Sequence, residues 1–217
     1  MNGTVSERAR LDTTLYLVTD SSYHTEESFF RTVEAALQGG VTLLQLREKD
    51  KSAREYMELA GKVKKIADRY GVPLLIDDRV DVAAAVDAAG VHVGQSDIPV
   101  AAARKILGPD KIVGATAKPV EQAREAWEQG ADYLGVGAIY PTTTKVKTIL
   151  TKVSTLKEIC EAVPIPVNAI GGLNAGNVDV LDGAGIAGIC VVSAIMKAED
   201  PRGTAEVLKK LAEKLKG

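Results

Sequence analysis

The feature that most constrains the fold of this chain is a regular alternation of short apolar segments with longer amphipathic ones. Each apolar segment has the length of a buried strand, and a helical pattern separates it from the next. There are eight of them: "LYLVT", "VTLLQLR", "VPLLID", "VHVG", "KIVGAT", "DYLGVG", "IPVNAI" and "IAGICVVS". The pattern therefore predicts eight strands with helices between them.

The segment "REYMELAGKVKKIADRYG" shows the helical pattern most clearly. Its apolar residues recur at spacings of three and four, which places them on one face of a helix: Tyr56, Leu59, Val63, Ile66 and Tyr70. Gly71 and Pro73 provide the stop signal. Because each strand is followed by a helix, neighbouring strands are expected to pair in parallel.

Eight such units in 217 residues predict an α/β fold, a single (β/α)₈ TIM barrel that spans residues 1–217 as one domain. Residues 1–12 are expected to form a flexible or peripheral N-terminal extension. A doubly wound open sheet is the alternative. It is disfavoured because the first strand–helix junction, "LVTDSSYHTEES", lacks the G-x-G-x-x-G motif that binds a dinucleotide.

Composition and charge favour a partner that is a small molecule. The net charge is −2 and no Lys/Arg block is present, so no nucleic-acid partner is expected. The start "MNGTVSERARLD" lacks the apolar region of a secretory signal, and no apolar run is long enough to cross a bilayer. We therefore expect no membrane association and a cytoplasmic location, with Cys160 and Cys190 as reduced, buried thiols.

Polar residues collect where the predicted strands end. The C-terminal ends of all strands of a parallel barrel meet on one face, so these residues are expected to converge. Within the second strand, Gln45, Arg47 and Lys49 share one side at a period of two. The strand ends and the loops after them contribute Gln45, Arg47, Glu48, Lys49, Asp77, Asp78, Asp97, Thr116, the "YPTTTK" segment, Gly171, Gly172 and Ser193.

Three acidic residues among these suggest a metal site. Arg47 and Lys49 suit a phosphate group, whereas Asp77, Asp78 and Asp97 would repel it unless a cation lay between them. Mg²⁺ resolves that conflict, since it takes one or two carboxylates and fills its other positions with water and phosphate oxygens. In the alternative interpretation, Asp78 and Asp97 cap the helices that follow them.

Two further segments suit a phosphate. "AIGGLNAGN" and "VVSAIM" follow strands seven and eight, where barrels often present backbone N–H groups to phosphate. Gly171 and Gly172 would alternatively serve a tight turn, and Ser193 a helix N-cap. The "YPTTTK" segment offers hydroxyls and Lys145 to an anion, or is a solvated turn.

Other constellations are weak. Only His24 and His92 are present, so a histidine-containing metal cluster is not expected, and no G-x-S-x-G motif supports a serine hydrolase. His92, inside "GVHVGQ", is interpreted as a packed, hydrogen-bonded strand residue rather than a base. Trp127 and Tyr133 are expected to pack a helix on the barrel.

The combination of motifs resembles the thiamine-phosphate synthase family over Leu15 to about Pro201. The segments that carry the resemblance are "QLREK", "IDDRVDVAAAV", "GVHVGQSD", "GADYLGVGAIYPTTTK" and "IPVNAIGG", in this order. It implies a transferase that joins 4-amino-5-hydroxymethyl-2-methylpyrimidine diphosphate to a thiazole phosphate, releasing pyrophosphate. The thiazole is 4-methyl-5-(2-phosphooxyethyl)thiazole or its carboxylated form.

The resemblance also implies roles for individual residues. Asp78 and Asp97 would bind Mg²⁺, and Arg47 and Lys145 would be catalytic. The thiazole phosphate would contact Thr142, Thr144, Gly172, Val192 and Ser193, and Thr143 would be a further substrate contact. The pyrimidine diphosphate would contact Gln45, Leu46, Arg47, Glu48, Lys49, Asp77, Thr116 and Lys145.

Three departures from the family pattern and two competing functions complete the prediction. Asp77 stands where the family usually has Asn, Lys118 where it often has His, and "KVKTILTKVSTL" lacks the usual acidic residue. One competitor is a thiazole tautomerase, which needs no diphosphate or metal site. The other is a non-catalytic barrel that binds a phosphorylated metabolite. The sequence leaves the oligomeric state open, and a homo-oligomer is compatible with it.

Overall fold

The structure, a computed structural model, describes residues 6–142 and 149–216. Eight parallel strands form a closed barrel in sequence order, with β8 paired to β1. They are β1 Leu15–Val18, β2 Leu43–Leu46, β3 Leu74–Asp77, β4 Gly90–Val93, β5 Ile112–Ala117, β6 Tyr133–Gly137, β7 Val167–Ile170 and β8 Gly188–Val191. The predicted (β/α)₈ barrel is confirmed, and the open doubly wound sheet is excluded because no strand is left at an edge.

Helices surround the barrel. They are α1 Glu26–Gln38, α2 Ala53–Arg69, α3 Val80–Ala85, α4 Val100–Leu107, α5 Val120–Glu128, α6 Val153–Ala162, α7 Ser193–Met196 and α8 Pro201–Leu215. The connection between β7 and β8 contains a 3₁₀ helix, Val178–Leu181, in place of an α-helix. Two other 3₁₀ helices are Glu7–Arg10 and Ser21–Tyr23.

The apolar core has two parts. The larger lies between the strands and the helices, and combines outward-facing residues of the strands with buried residues of the helices. The smaller fills the barrel and is lined with inward-facing residues such as Leu43, Leu75 and Ile112, together with Tyr16 and Tyr133. Full burial of one such aliphatic side chain stabilises the fold by about 1.5–3 kcal/mol.

Helix α2 follows the predicted pattern with one exception. It begins with a capping box between Ser52 and Glu55, and Tyr56 and Val63 are fully buried against the barrel. Tyr70, predicted on the same face, is 36% exposed. It is the C-cap residue of the helix, and its hydroxyl is hydrogen-bonded to Glu34 and Gln38 of α1 at the surface; Gly71 follows with a φ of 66°.

The prediction for Trp127 and Tyr133 is wrong. Trp127 is 41% exposed, because α5 packs on the barrel through the small residues Ala123 and Ala126. Tyr133 is fully buried inside the barrel. A ring this large fits there because Gly114 on β5 has no side chain: a Cβ atom at that position would lie 2.1 Å from the Tyr133 ring.

The N-terminal segment, residues 6–12, lies against the N-terminal end of the barrel, opposite the strand ends considered above. Arg8 donates a 2.6 Å hydrogen bond to Asp132, which directly precedes β6, and another of 3.2 Å to the Pro109 carbonyl. Leu11 packs against the residues that fill the barrel. No helix within residues 6–142 and 149–216 has the length and apolar character needed to span a membrane.

Candidate active site

A cavity of about 630 Å³ opens at the C-terminal ends of the strands. Most of the residues predicted from the sequence line it: Gln45, Arg47, Lys49, Asp77, Asp78, Asp97, Thr116, Thr142, Gly171, Gly172, Val192 and Ser193. Thr143, Thr144 and Lys145 lie outside the described residues. The convergence of strand ends from all around the barrel is what the fold dictates.

The end of β2 contributes alternate residues to the cavity. Gln45, Arg47 and Lys49 line it, as the period of two predicts. Leu46 and Glu48 do not line it, and their expected contacts with substrate stay a prediction. Leu46 is fully buried under the helices, and Glu48 accepts a 2.9 Å hydrogen bond from Ser21 in the loop after β1.

Lys49 joins two of the acidic residues. Its Nζ atom donates a 2.8 Å hydrogen bond to Asp77 and a second bond to Asp78, while Arg47 Nε lies 3.9 Å from Asp77 Oδ2. The two cations expected to bind a phosphate therefore already share a carboxylate, Asp77. That carboxylate competes with any anion for them.

Burial changes the acidity of this cluster. Burial and the neighbouring Asp78 charge raise the pKa of Asp77 to about 6, although Lys49 and Arg47 act against them. Burial would raise the pKa of Asp78 as well, but the hydrogen bond and charge of Lys49 outweigh it and lower that pKa. Burial acts to lower the pKa of Lys49, but Asp77 and Asp78 raise it, so Lys49 is a stable cation.

The capping alternative for Asp78 and Asp97 is wrong. Helix α3 follows Arg79 and α4 follows Pro99, and neither helix has a side-chain cap. Asp97 instead accepts a 2.8 Å hydrogen bond from the Gly94 backbone within its own loop. Asp78 adopts a left-handed φ of 59°, a conformation that non-glycine residues seldom adopt. Both carboxylates are therefore free of helix capping.

Asp78 and Asp97 fit a divalent cation. Their carboxyl groups lie within hydrogen-bonding contact, and burial together with the Asp78 charge raises the pKa of Asp97 despite the Gly94 hydrogen bond. Two carboxyl groups in contact require a proton or a cation between them. In the part of the chain that the structure describes, no group of three or more His, Cys, Asp or Glu residues suits a metal. A pair of carboxylates is the number that Mg²⁺ commonly takes from a protein.

The loops after β7 and β8 form the other side of the cavity. Gly171 and Gly172 have φ values of 106° and 66°, so the turn interpretation is confirmed. A Cβ atom on Gly172 would lie 2.7 Å from Tyr140. Ser193 is the first residue of α7 and not its N-cap, a position that Val192 takes without a side-chain bond. The glycine turn thus brings backbone atoms to the cavity, and α7 brings the Ser193 hydroxyl.

Sequence reasoning missed a set of hydrogen-bonded residues at the floor of the cavity. Gln45 donates to the Tyr16 hydroxyl, which lies 2.8 Å from that of Tyr133. Tyr133 in turn lies 2.8 Å from His92 Nδ1, and His92 Nε2 lies 2.9 Å from the Thr116 hydroxyl. The prediction that His92 is a hydrogen-bonded strand residue is confirmed. The glycines of β5 and β6, which make room for these rings, were the available signal.

The fold and the cavity define a class of protein: a (β/α)₈ barrel whose strand ends bring cations, carboxylates and a glycine turn around one binding site. A family model described as thiamine monophosphate synthase matches residues 15–195. The chain belongs to this family. The resemblance inferred from the sequence is therefore confirmed, and with it the expectation of an enzyme that forms thiamine phosphate.

Individual relatives agree. Thiamine-phosphate synthase 2 of Streptococcus pneumoniae serotype 4 is 56% identical over 91% of this chain and 94% of its own length. Thiamine-phosphate synthase of Enterococcus faecalis is 50% identical over 93% and 95%. The solved structure of thiamine phosphate pyrophosphorylase from Pyrococcus furiosus is 40% identical, with a TM-score of 0.86 over 96% of this chain and 99% of that one.

Proposed function

We propose that the cavity at the strand ends binds a pyrimidine diphosphate and a thiazole phosphate together and condenses them to thiamine phosphate and pyrophosphate. The observation that carries this proposal is the division of the cavity. Cations and carboxylates of β2, β3 and β4 lie on one side, and the glycine turn with Ser193 lies on the other. Two anionic substrates need two such subsites.

The pyrimidine diphosphate takes the side formed by β2 to β5. Arg47 and Lys49 bind its phosphates, and Gln45 and Thr116 contact the ring from the floor of the cavity. Asp77 lies beside the same phosphates. Leu46 and Glu48 contact the substrate through backbone atoms, because their side chains face away from the cavity.

Asp78 and Asp97 hold Mg²⁺ in this proposal. A divalent cation at this pair would supply positive charge to the diphosphate oxygens and offset the repulsion from the carboxylates. The contact between the two carboxyl groups supports the assignment. The same pair would also accept Mn²⁺, since both ions prefer oxygen ligands.

The thiazole phosphate takes the side formed by β7 and β8. Gly172, Val192 and Ser193 line it, and the glycine turn, which has no side chains of its own, brings its backbone to the wall of the cavity. Thr142 lines the mouth of the cavity. The resemblance adds Thr144 to this subsite and Lys145 to the pyrimidine side, with Thr143 as a further substrate contact.

The reaction breaks the bond between the pyrimidine methylene and the diphosphate oxygen, and pyrophosphate leaves with the electron pair. The amino group of the pyrimidine supports a cationic methylene, which the thiazole nitrogen then attacks to form the new carbon–nitrogen bond. Arg47, Lys49 and Lys145 stabilise the charge that grows on pyrophosphate. The protein needs no nucleophile of its own, since it acts through positioning and charge.

Two other functions compete. A thiazole tautomerase has no use for the cluster of Arg47, Lys49, Asp78 and Asp97, and a metabolite-binding barrel has no use for the paired carboxylates. The cluster favours the condensation over both. A homo-oligomeric state and a cytoplasmic location stay predictions.

The test is a condensation assay with both substrates and Mg²⁺, in which thiamine phosphate is detected after oxidation to a fluorescent thiochrome. We expect product that disappears after chelation of divalent ions and returns with added Mg²⁺. Arg47→Met, which keeps the length but removes the charge, should lower kcat/KM by at least about a hundredfold, or roughly 2.7 kcal/mol. Undiminished activity after thorough chelation would show that the metal assignment is wrong.

A further inference from the structure

Five residues at the floor of the cavity form a hydrogen-bond network, and the residues at its two ends are proposed substrate contacts. It runs from Gln45 through Tyr16, Tyr133 and His92 to Thr116. Tyr16 and Tyr133 are 1% and 0% exposed, so solvent is not available to satisfy their hydroxyl groups. Tyr133 does not line the cavity, whereas the other four residues do.

Which group donates in each of these hydrogen bonds follows from the number of protons that each side chain carries. The amide Nε2 of Gln45 only donates, so Tyr16 accepts there and its single proton is left for Tyr133. If Tyr133 also donated to Tyr16, the Tyr16 proton would be buried without a partner, which is costly. Tyr133 must then give its own proton to His92 Nδ1.

A neutral imidazole carries one proton, and the bond from Tyr133 decides where it is. Because Nδ1 accepts, the proton is on Nε2 and is donated to the Thr116 hydroxyl over 2.9 Å. The Thr116 proton is thereby released to donate toward a ligand. At the other end, Gln45 directs its nitrogen to Tyr16 and retains its carbonyl oxygen as an acceptor.

We infer that Tyr133 is a positioning residue: through His92 it makes Thr116 a hydrogen-bond donor and, through Tyr16, keeps the Gln45 oxygen as an acceptor for the substrate ring. This inference rests on the proposed function for the identity of the substrate. An acceptor and a donor suit a ring that carries both an amino group and an unprotonated nitrogen. An oxo pyrimidine, with a carbonyl in place of the amino group and a ring N–H, presents the reverse pattern.

The first test is the tautomer of His92 in the free protein, which requires no substrate. Two-bond ¹H–¹⁵N correlation spectra at about pH 8, above the ordinary imidazole pKa of about 6.5, distinguish the two neutral tautomers. The protein has only two histidines, and a His24→Gln variant assigns their signals. We expect the Nε2–H form for His92. The Nδ1–H form would overturn the inference, because His92 would then donate to Tyr133 and accept from Thr116.

A matched pair of variants separates position in the chain from simple loss of a buried hydroxyl. Tyr133→Phe removes the donor to His92, so His92 should lose its fixed tautomer. Tyr16→Phe removes a neighbouring, equally buried hydroxyl but leaves Tyr133 with His92 as its acceptor, so the Nε2–H form should persist. His24, whose Nε2 lies 2.7 Å from the Met196 carbonyl, should be unchanged in both. An unchanged His92 spectrum in Tyr133→Phe would overturn the inference.

The second test is discrimination between the amino pyrimidine diphosphate and its 4-oxo analogue. In Tyr133→Phe, the ratio of kcat/KM for the two should fall by about tenfold, with a higher KM for the pyrimidine substrate and an unchanged KM for the thiazole phosphate. Equal loss for both pyrimidines would overturn the specificity role. A protein without condensation activity would refute the proposed function alone, since the tautomer is measured without turnover.

Discussion

At the scale of single residues, Asp77 is the side chain whose charge most affects the proposed site. It lies 2.8 Å from Lys49 Nζ and 3.9 Å from Arg47 Nε, the two cations assigned to the diphosphate. An anion in this place repels the substrate and occupies its partners. Asp77 is 8% exposed, so solvent screens this repulsion poorly.

We predict that Asp77→Asn raises kcat/KM by about tenfold, which corresponds to roughly 1.4 kcal/mol. The substitution removes one negative charge, so Lys49 can bind Asp78 and the substrate without competition from Asp77. The measurement is kcat/KM for both proteins across Mg²⁺ concentrations. A large loss in the Asn variant that added metal reverses would contradict the prediction and make Asp77 a metal ligand.

The two cysteines give a prediction about pH. Burial raises the pKa of the Cys160 thiol to about 11 and that of the buried Cys190 thiol well above its usual range. The sign is clear, because a raised pKa leaves less of the reactive thiolate at any pH below it. At pH 8 the thiolate fraction of Cys160 is about a thousandth, compared with about a quarter for an ordinary thiol of pKa about 8.5.

We therefore expect native protein to react with a thiol reagent at least about a hundredfold more slowly at pH 8 than unfolded protein. The rate for Cys160 should rise about tenfold for each unit of pH toward 11. Cys160→Ser and Cys190→Ser variants assign the signal to each thiol. Rapid labelling of the native Cys190→Ser protein at pH 8 would contradict the expected burial effect.

At the scale of elements, the ends of β7 and β8 act together. The glycine turn after β7 has left-handed backbone that only glycine adopts without strain, and α7 begins at Ser193 beside it. Neither element carries a charged side chain into the cavity. A monophosphate there would be bound by backbone N–H groups and hydroxyls.

We predict that Ser193→Asp weakens binding of the thiazole phosphate by at least about tenfold, because like charges about 4 Å apart repel by several kcal/mol under partial screening. Pyrimidine diphosphate binding should change little, since its cations lie on the other side of the cavity. Calorimetric titration with each ligand separately measures both. Ser193→Asn, similar in size and uncharged, is the matched control and should retain most of the affinity.

Equal losses for the two ligands in Ser193→Asp would mean that the subsites are divided differently. A loss in Ser193→Asn as large as that in Ser193→Asp would mean that size, and not charge, is responsible. Both outcomes would contradict the assignment of the β7 and β8 ends to the monophosphate.

At the scale of the whole molecule, stability and function lie at opposite ends of the barrel. The N-terminal segment closes the end of the barrel away from the cavity, and Asp132 accepts several of the hydrogen bonds that hold this end together. Asp132 accepts from Arg8, Arg104 and the Val113 backbone, and its side chain is 5% exposed. Such a buried carboxylate depends on its cations.

We predict that Arg8→Met lowers the free energy of unfolding by about 1 kcal/mol, a modest amount because Arg8 is half exposed and Arg104 remains. For a chain of this length that corresponds to a fall in Tm of about 2–4 °C. The kcat/KM should be unchanged. Thermal unfolding and the condensation assay on the same samples provide the measurement.

The control is Arg31→Met, which breaks an ion pair with Glu27 in which both side chains are more than 70% exposed. Its Tm should stay near that of the parent protein. Equal Tm values for the Arg8 and Arg31 variants would show that the N-terminal segment adds nothing to stability.

The sequence by itself determined the barrel and most of the cavity. Strand and helix periods are local, so eight short apolar segments separated by amphipathic ones were enough to predict the fold. The rule that strand ends meet on one face then brought Gln45, Asp97 and Ser193 to one site. Those residues all line the cavity.

Only the tertiary structure decided which distant side chains touch. Period alone does not place Trp127 in solvent or Tyr133 inside the barrel, because the space around a residue depends on the small residues of neighbouring strands and helices. Nor does it show that Lys49 binds Asp77, or that five residues from five strands form one hydrogen-bond chain. Such contacts depend on the curvature and closure of the barrel, which set distances between residues that are far apart in the chain.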